Sequence, residues 1–151
     1  MKRTVALVAV AVLGVLAFSS LASGNSARPT AQAMKFSAAL TSGQVVPQLK
    51  KAPVGASGHF TATLTGTTLK WTLTFTHLSG PAVAAHIHMG ARGKNGIALV
   101  ALCGPCKSPI SGTANAVPDD VAALLNSGAY VNVHTAKNTE GEIRGEVTAA
   151  R

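Results

Sequence analysis

The amino-acid sequence predicts an all-β protein: an antiparallel, Greek-key-like β-sandwich or barrel with one short helix near residues 118–127. Three observations point there. Of 151 residues only 12% are charged and 4% aromatic, whereas Thr, Val and Ala abound, a composition that fits strands better than a helical bundle. Apolar and polar residues alternate with period two over short runs. Gly, Pro and Asn separate those runs.

The elements follow in chain order. Lys2 and Arg3 precede an apolar run from Thr4 to Phe18, the pattern of a signal peptide over residues 1–22. Ser20-Leu21-Ala22 fits small-x-small cleavage, and Ala31-Gln32-Ala33 allows a cut as late as 33. The run is shorter than the about 20 residues of a membrane span, so an uncleaved anchor is the weaker alternative. The chain thus reads as exported, to the periplasm, the cell envelope or the medium, with no stable membrane span once the signal is removed. Residues 23–34, small and polar, read as a flexible tether before a single domain over 35–151.

Within that domain Lys35 to Leu40 is a candidate strand. Ser57 to Leu64 alternates, with Phe60, Ala62 and Leu64 on one side, and Gly66 marks a turn. Lys70 to Leu78 alternates most regularly, with Trp71, Leu73 and Phe75 inward and three threonines outward. Ala84 to Met89, Ile97 to Leu102, Tyr130 to Thr135 and Glu142 to Thr148 complete the strands. Pro118, Asp119 and Asp120 suit the start of the helix, Val121, Leu124 and Leu125 form its apolar stripe, and Gly128 suits its end.

The chain carries 13 basic and 5 acidic residues, 11 basic once Lys2 and Arg3 are removed. The basic residues are scattered and not interleaved with aromatics, which argues against nucleic acid as a partner. Cys103-Gly-Pro-Cys106 has the spelling of a thioredoxin centre, but thioredoxins place that pair at a helix start, where the dipole activates the thiol. Here Lys107, Ser108, Pro109, Ser111 and Gly112 follow, which reads as loop. In an exported chain its only two cysteines are expected to bond to each other, Cys103 to Cys106, with a redox or thiolate-metal role as the alternative.

Histidines fall at 59, 77, 86, 88 and 134. His77 shares parity with Trp71 and Leu73 and reads as a core-edge residue, and His59 as exposed. His86 and His88, two apart on a strand, face one side. Tyr130, Asn132 and His134 likewise share a side, leaving Val131 and Val133 for the core. If the two strands lie together, three imidazoles converge, a donor set that suits copper or zinc, and copper(II) above all where a position is open. Periodicity alone does not join His134 to the pair.

The segments "GPAVAAHIHMGARGKNGIALVALC" and "SGAYVNVHTAKNTEGEIRGEV" resemble the CHRD (chordin) domain. Its Ala-His-Ile-His, Gly-x-Tyr-Val-Asn-Val-His-Thr and Gly-Glu-Ile-Arg-Gly segments stand here in order, and the likeness runs from about Lys35 to Thr148. The resemblance implies an extracellular domain and names no obvious growth-factor partner. More distantly, the order His-x-His, Val-x-Val-His and a late Arg is similar to copper/zinc superoxide dismutases. That likeness implies His86, His88 and His134 as copper ligands and Arg144 as an anion-guiding charge in catalysis. The bridging histidine and zinc cluster of those enzymes have no counterpart here, and a fourth ligand would be His59, solvent or nothing. Arg144 also shares parity with Glu142 and Glu146, so a surface ion pair is its simpler reading.

Three functions follow, in this order. The first is copper binding through His86, His88 and His134. The second is an extracellular or envelope interaction module in which the histidines hydrogen-bond backbone. The third is a copper-only dismutase-like enzyme.

Overall fold

The computed structural model describes residues 31–150, so the signal peptide expected over 1–22 and most of the tether expected over 23–34 lie outside the described residues. Nine antiparallel strands, a short 3-10 helix (Ser42–Gln44) and one α-helix follow: β1 (Met34–Thr41), β2 (Ser57–Thr65), β3 (Thr68–Thr76), β4 (Ala82–Met89), β5 (Ala98–Cys103), β6 (Ile110–Asn115), α1 (Pro118–Leu125), β7 (Ala129–Thr135), β8 (Ile143–Glu146) and β9 (Thr148–Ala149). They form one sheet in the order β5-β4-β7-β8-β1-β2-β3-β6, with β9 paired to β1. The sheet wraps on itself into a nearly closed barrel. The all-β class and the short helix are as the sequence predicts.

The alternation fixes which side is core. Phe36, Ala38 and Leu40 of β1 face inward with Phe60, Ala62 and Leu64 of β2 and Leu69, Trp71 and Leu73 of β3. Ala85, Ile87, Val131 and Val133 fill the other half. The outward residues of β1, β2, β3 and β6 line up in ranks across the strands. Lys35, Thr63, Lys70 and Thr113 form one rank, and Ser37, Thr61, Thr72 and Ser111 the next.

The helix begins at Pro118 and is capped by Asp120, whose carboxylate accepts from the Val117 N–H at 3.0 Å. It ends two residues before the predicted boundary. Ser127 turns to φ 53° and the Gly128 N–H bonds the Ala123 carbonyl, so the terminal carbonyl is satisfied without another helical turn.

Three sequence expectations change. Residues 110–115, read as loop because of Ser111 and Gly112, form β6 against β3. Gly112 is needed there because a side chain would strike the Trp71 indole. His77 is not a core-edge residue: β3 ends at Thr76, and His77 is exposed at φ 55°. Strand β7 does not alternate in burial, since all seven residues are buried.

The sheet's end strands are β5 and β6. Cys103 closes β5, and its sulfur lies 2.08 Å from that of Cys106 in the segment leading to β6. The Cys106 N–H also bonds the Ala82 carbonyl of β4. The pair fastens a tight turn where the two ends of the sheet approach.

Between β7 and β8 the fully buried Glu142 gathers the chain. Its carboxylate accepts from the Ser79 N–H and hydroxyl, the Thr135 hydroxyl and the Asn138 amide. Burial alone raises a carboxyl pKa, but here the bonds from Ser79, Thr135 and Asn138 outweigh it and hold Glu142 below its ordinary value. A depressed carboxyl stabilises the fold above its unfolded pKa and loses that contribution as pH falls through the folded value. Glu142→Gln is therefore expected to lower stability at pH 7 by about 2 kcal/mol, because its amide cannot accept all four donors. The melting temperature of this variant should change less than wild type between pH 5 and 3.

Candidate metal centre

Strand β4 lies antiparallel to β7 with Ala84 opposite His134, His86 opposite Asn132 and His88 opposite Tyr130. His134 is thus the diagonal neighbour of His86, and His88 follows two residues on. The two histidine segments of the sequence meet on the outer face of this pair, because Ile87, Val131 and Val133 take the inner one. One ring nitrogen from each of His86, His88 and His134 lies within 4.8 Å of the others.

Loops cover this face and aim the rings. The Nδ1–H of His134 donates to the Thr139 carbonyl at 2.8 Å, leaving Nε2 as a lone pair. Nδ1 of His88 donates to the Gly96 carbonyl at 3.1 Å, which leaves its Nε2 as an acceptor, and that atom is buried with no partner. Nδ1 of His86 is hydrogen-bonded to Nε2 of His134 at 3.3 Å. Two imidazole nitrogens bound at about 2.0–2.1 Å in tetrahedral geometry are about 3.3 Å apart, so this pair already has the separation a shared cation needs.

Protonation is disfavoured here. Burial lowers the pKa of His86, and the neighbouring His134 and His88 lower it further. Burial also lowers that of His88; the bond to the Gly96 carbonyl opposes the shift, while His134 and Arg144 reinforce it. Both rings therefore favour the neutral, ligand-competent form.

Behind the histidines lies a stack. The Tyr130 ring is parallel to that of His88 at 4.9 Å, and the Arg144 guanidinium sits 3.4 Å from the Tyr130 centroid. The Tyr130 hydroxyl accepts from the Gly96 N–H, so the residue that supports His88 also fixes the loop that orients it. Arg144 is fully buried. It donates to Glu146 at 2.9 Å, to Asn95 Oδ1 at 3.1 Å and to the Ala91 carbonyl at 3.3 Å.

The expected surface ion pair is thus a buried one, made with Glu146 and not Glu142. An anion-guiding role needs a guanidinium open to solvent, and the burial and committed donors of Arg144 do not provide it. His59 is exposed on β2 and stands outside the three-histidine group, so the suggested fourth ligand is not brought to the other three.

The family model of the CHRD domain matches residues 36–147, which include every residue of this site. The chain belongs to the CHRD domain family. No curated protein and no solved structure matches it. Within this CHRD domain the three sequence segments converge: the first and second supply the imidazoles, and the third supplies Glu142 and Arg144. Sequence reasoning missed the stack of Tyr130 and the loop carbonyls of Gly96 and Thr139. The shared parity of 142, 144 and 146 was the one available signal of a charged pair; nothing in a sequence marks a backbone carbonyl as an orienting group.

Gly141 shows how tightly the covering loop fits. Its φ is 123°, and an added Cβ would collide with the Asn132 amide, which donates to the Glu140 carbonyl. Gly141→Ala should displace the loop carrying Thr139, costing about 2 kcal/mol or more and releasing His134; loss of the Nδ1 proton's slow solvent exchange by NMR would report it.

The histidine shifts predict a second behaviour. The unfolded chain takes up protons more readily than the fold does below about pH 6.5, so stability should fall as pH drops through that value. The melting temperature of the metal-free domain should decline from pH 7 to 5.5, and His86→Asn should shrink the decline.

Proposed function

We propose that this CHRD domain is exported and binds one metal ion, copper foremost, through His86, His88 and His134. The observation that carries this reading is the partnerless, buried Nε2 of His88, aimed into a cluster whose other two rings already stand at a cation-sharing distance. A buried acceptor without a donor is costly, and a cation removes that cost. Three neutral nitrogens with no carboxylate among them suit copper or zinc rather than calcium or magnesium, and an open position favours copper(II). Export is supported by the charged and apolar N-terminal pattern and by the close Cys103–Cys106 pair. Among the described residues no helix is long and apolar enough to cross a membrane.

A second reading has its own support. His134 and His88 each bond a loop carbonyl, at Thr139 and Gly96, as they would in an interaction module whose histidines only knit loops to the sheet. A dismutase-like activity ranks behind both, since enclosed Arg144 leaves that chemistry without its guiding charge.

Copper(II) titration of the mature domain separates these. Wild type should take up one equivalent, and His86→Ala, His88→Ala and His134→Ala should each lose it. Copper at a hundredfold excess over Kd should stabilise wild type by about 2.7 kcal/mol and leave the variants unmoved. If wild type takes up no copper and His86→Ala destabilises equally with and without it, the histidines are structural.

A further inference from the structure

The outer face of β1, β2, β3 and β6 is chemically unlike the rest of the molecule. The ranks Lys35-Thr63-Lys70-Thr113 and Ser37-Thr61-Thr72-Ser111 line a trough of about 620 Å³ that runs across all four strands. Thr72 and Ser111 are bonded to each other at 2.9 Å, so their hydroxyls are held in position.

Charge is segregated around it. The chain has five acidic side chains: Asp119 and Asp120 on the helix, and Glu140, Glu142 and Glu146 around β8. None lies on these four strands, whereas Lys35 and Lys70 stand exposed within the trough.

The face also lacks what other partners need. The Trp71 side chain is turned inward, 6% exposed, and Phe36 and Phe60 are buried, so there is no aromatic platform for a base or a neutral sugar ring. The exposed large apolar residues among those described lie elsewhere, so there is no wedge for a membrane.

We propose that this trough binds an acidic polysaccharide, laid across the strands. Lys35 and Lys70 rise from strands two apart, with backbones about 9–10 Å from each other, a spacing that lets the two ammonium groups meet two separate anionic groups. A polymer carrying an anionic group on successive or alternate sugar rings meets both. The hydroxyl ranks between and beside the lysines match a partner that is itself a ladder of hydroxyls, each able to donate and accept. The site is independent of the histidines, which lie on the outer face of the β4–β7 pair.

The test is affinity electrophoresis of the mature domain through gels holding polygalacturonate, neutral dextran or double-stranded DNA. Polygalacturonate should retard wild type in a salt-sensitive manner, and dextran should not. Lys35→Gln/Lys70→Gln should weaken binding about fivefold, from the modest worth of two exposed charges. Thr61→Val/Thr72→Val should weaken it as well, since it keeps β-branched shape and removes only hydroxyls. Lys94→Gln/Lys137→Gln, which leaves the trough intact and removes the same charge, should bind as wild type does. His86→Ala should also bind as wild type, so failure of the metal reading leaves this one standing. Melting curves unchanged from wild type would show the trough variants folded. Absent retardation by polygalacturonate, equal loss in the Lys94/Lys137 variant, or equal binding of DNA with the same lysine dependence would each overturn the proposal.

Discussion

The constraint on which the structure depends is that β7 is buried on both faces. Val131 and Val133 pack into the barrel, as one side of a half-exposed strand should. The other side carries Tyr130, Asn132 and His134, whose polar atoms are under cover. Each must then find a partner, and the loops that provide the cover also provide the partners: Thr139 and Glu140 from one, Gly96 from the other. Glu142 and Arg144 extend the same demand, one gathering Ser79, Thr135 and Asn138, the other closing on Glu146, Asn95 and Ala91. The histidine cluster exists because this polar layer is held rigidly over a strand pair. Three buried atoms within it are left without a partner, Asn132 Oδ1, Glu146 Oε2 and His88 Nε2, and of these the imidazole nitrogen belongs to the three-histidine group.

What was legible in the sequence follows from what is periodic. Strands β2 and β3 alternate in sequence and alternate in burial, so their positions and inward faces could be read directly. His86 and His88 share a face for the same reason. β6 was hidden because Ser111, Gly112 and Thr113 spell a turn locally, and only the approach of Trp71 explains the glycine. The burial of β7 was hidden because it comes from loops rather than from the strand's own pattern. Parity placed Arg144 with two glutamates but gave no sign of which it would take, nor that the pair would be buried. The family likeness joined His134 to His86 and His88, where spacing alone had no power; the structure adds the diagonal register that brings the rings together.

The two halves of the barrel use charge in opposite ways. Around β7 and β8, charged groups are few, buried and paired, and they set the shape of a small site. Across β1, β2, β3 and β6, the lysines are exposed, among hydroxyls that stay wet. A chain with so few carboxylates can do this because most of those it has are committed to the fold: Glu142 and Glu146 in the polar layer and Asp120 at the helix cap.

The turn between Cys103 and Cys106 has a consequence for life at high concentration. A sheet that stops short of full closure ends in two strands whose free N–H and C=O groups invite strands from other molecules. Here the sulfur link and the Cys106–Ala82 bond draw those ends together, and Pro105 and Pro109, which have no N–H to offer, flank the junction. Among the described residues, a small barrel tied this way leaves less open strand edge at that junction for a neighbouring copy to pair with.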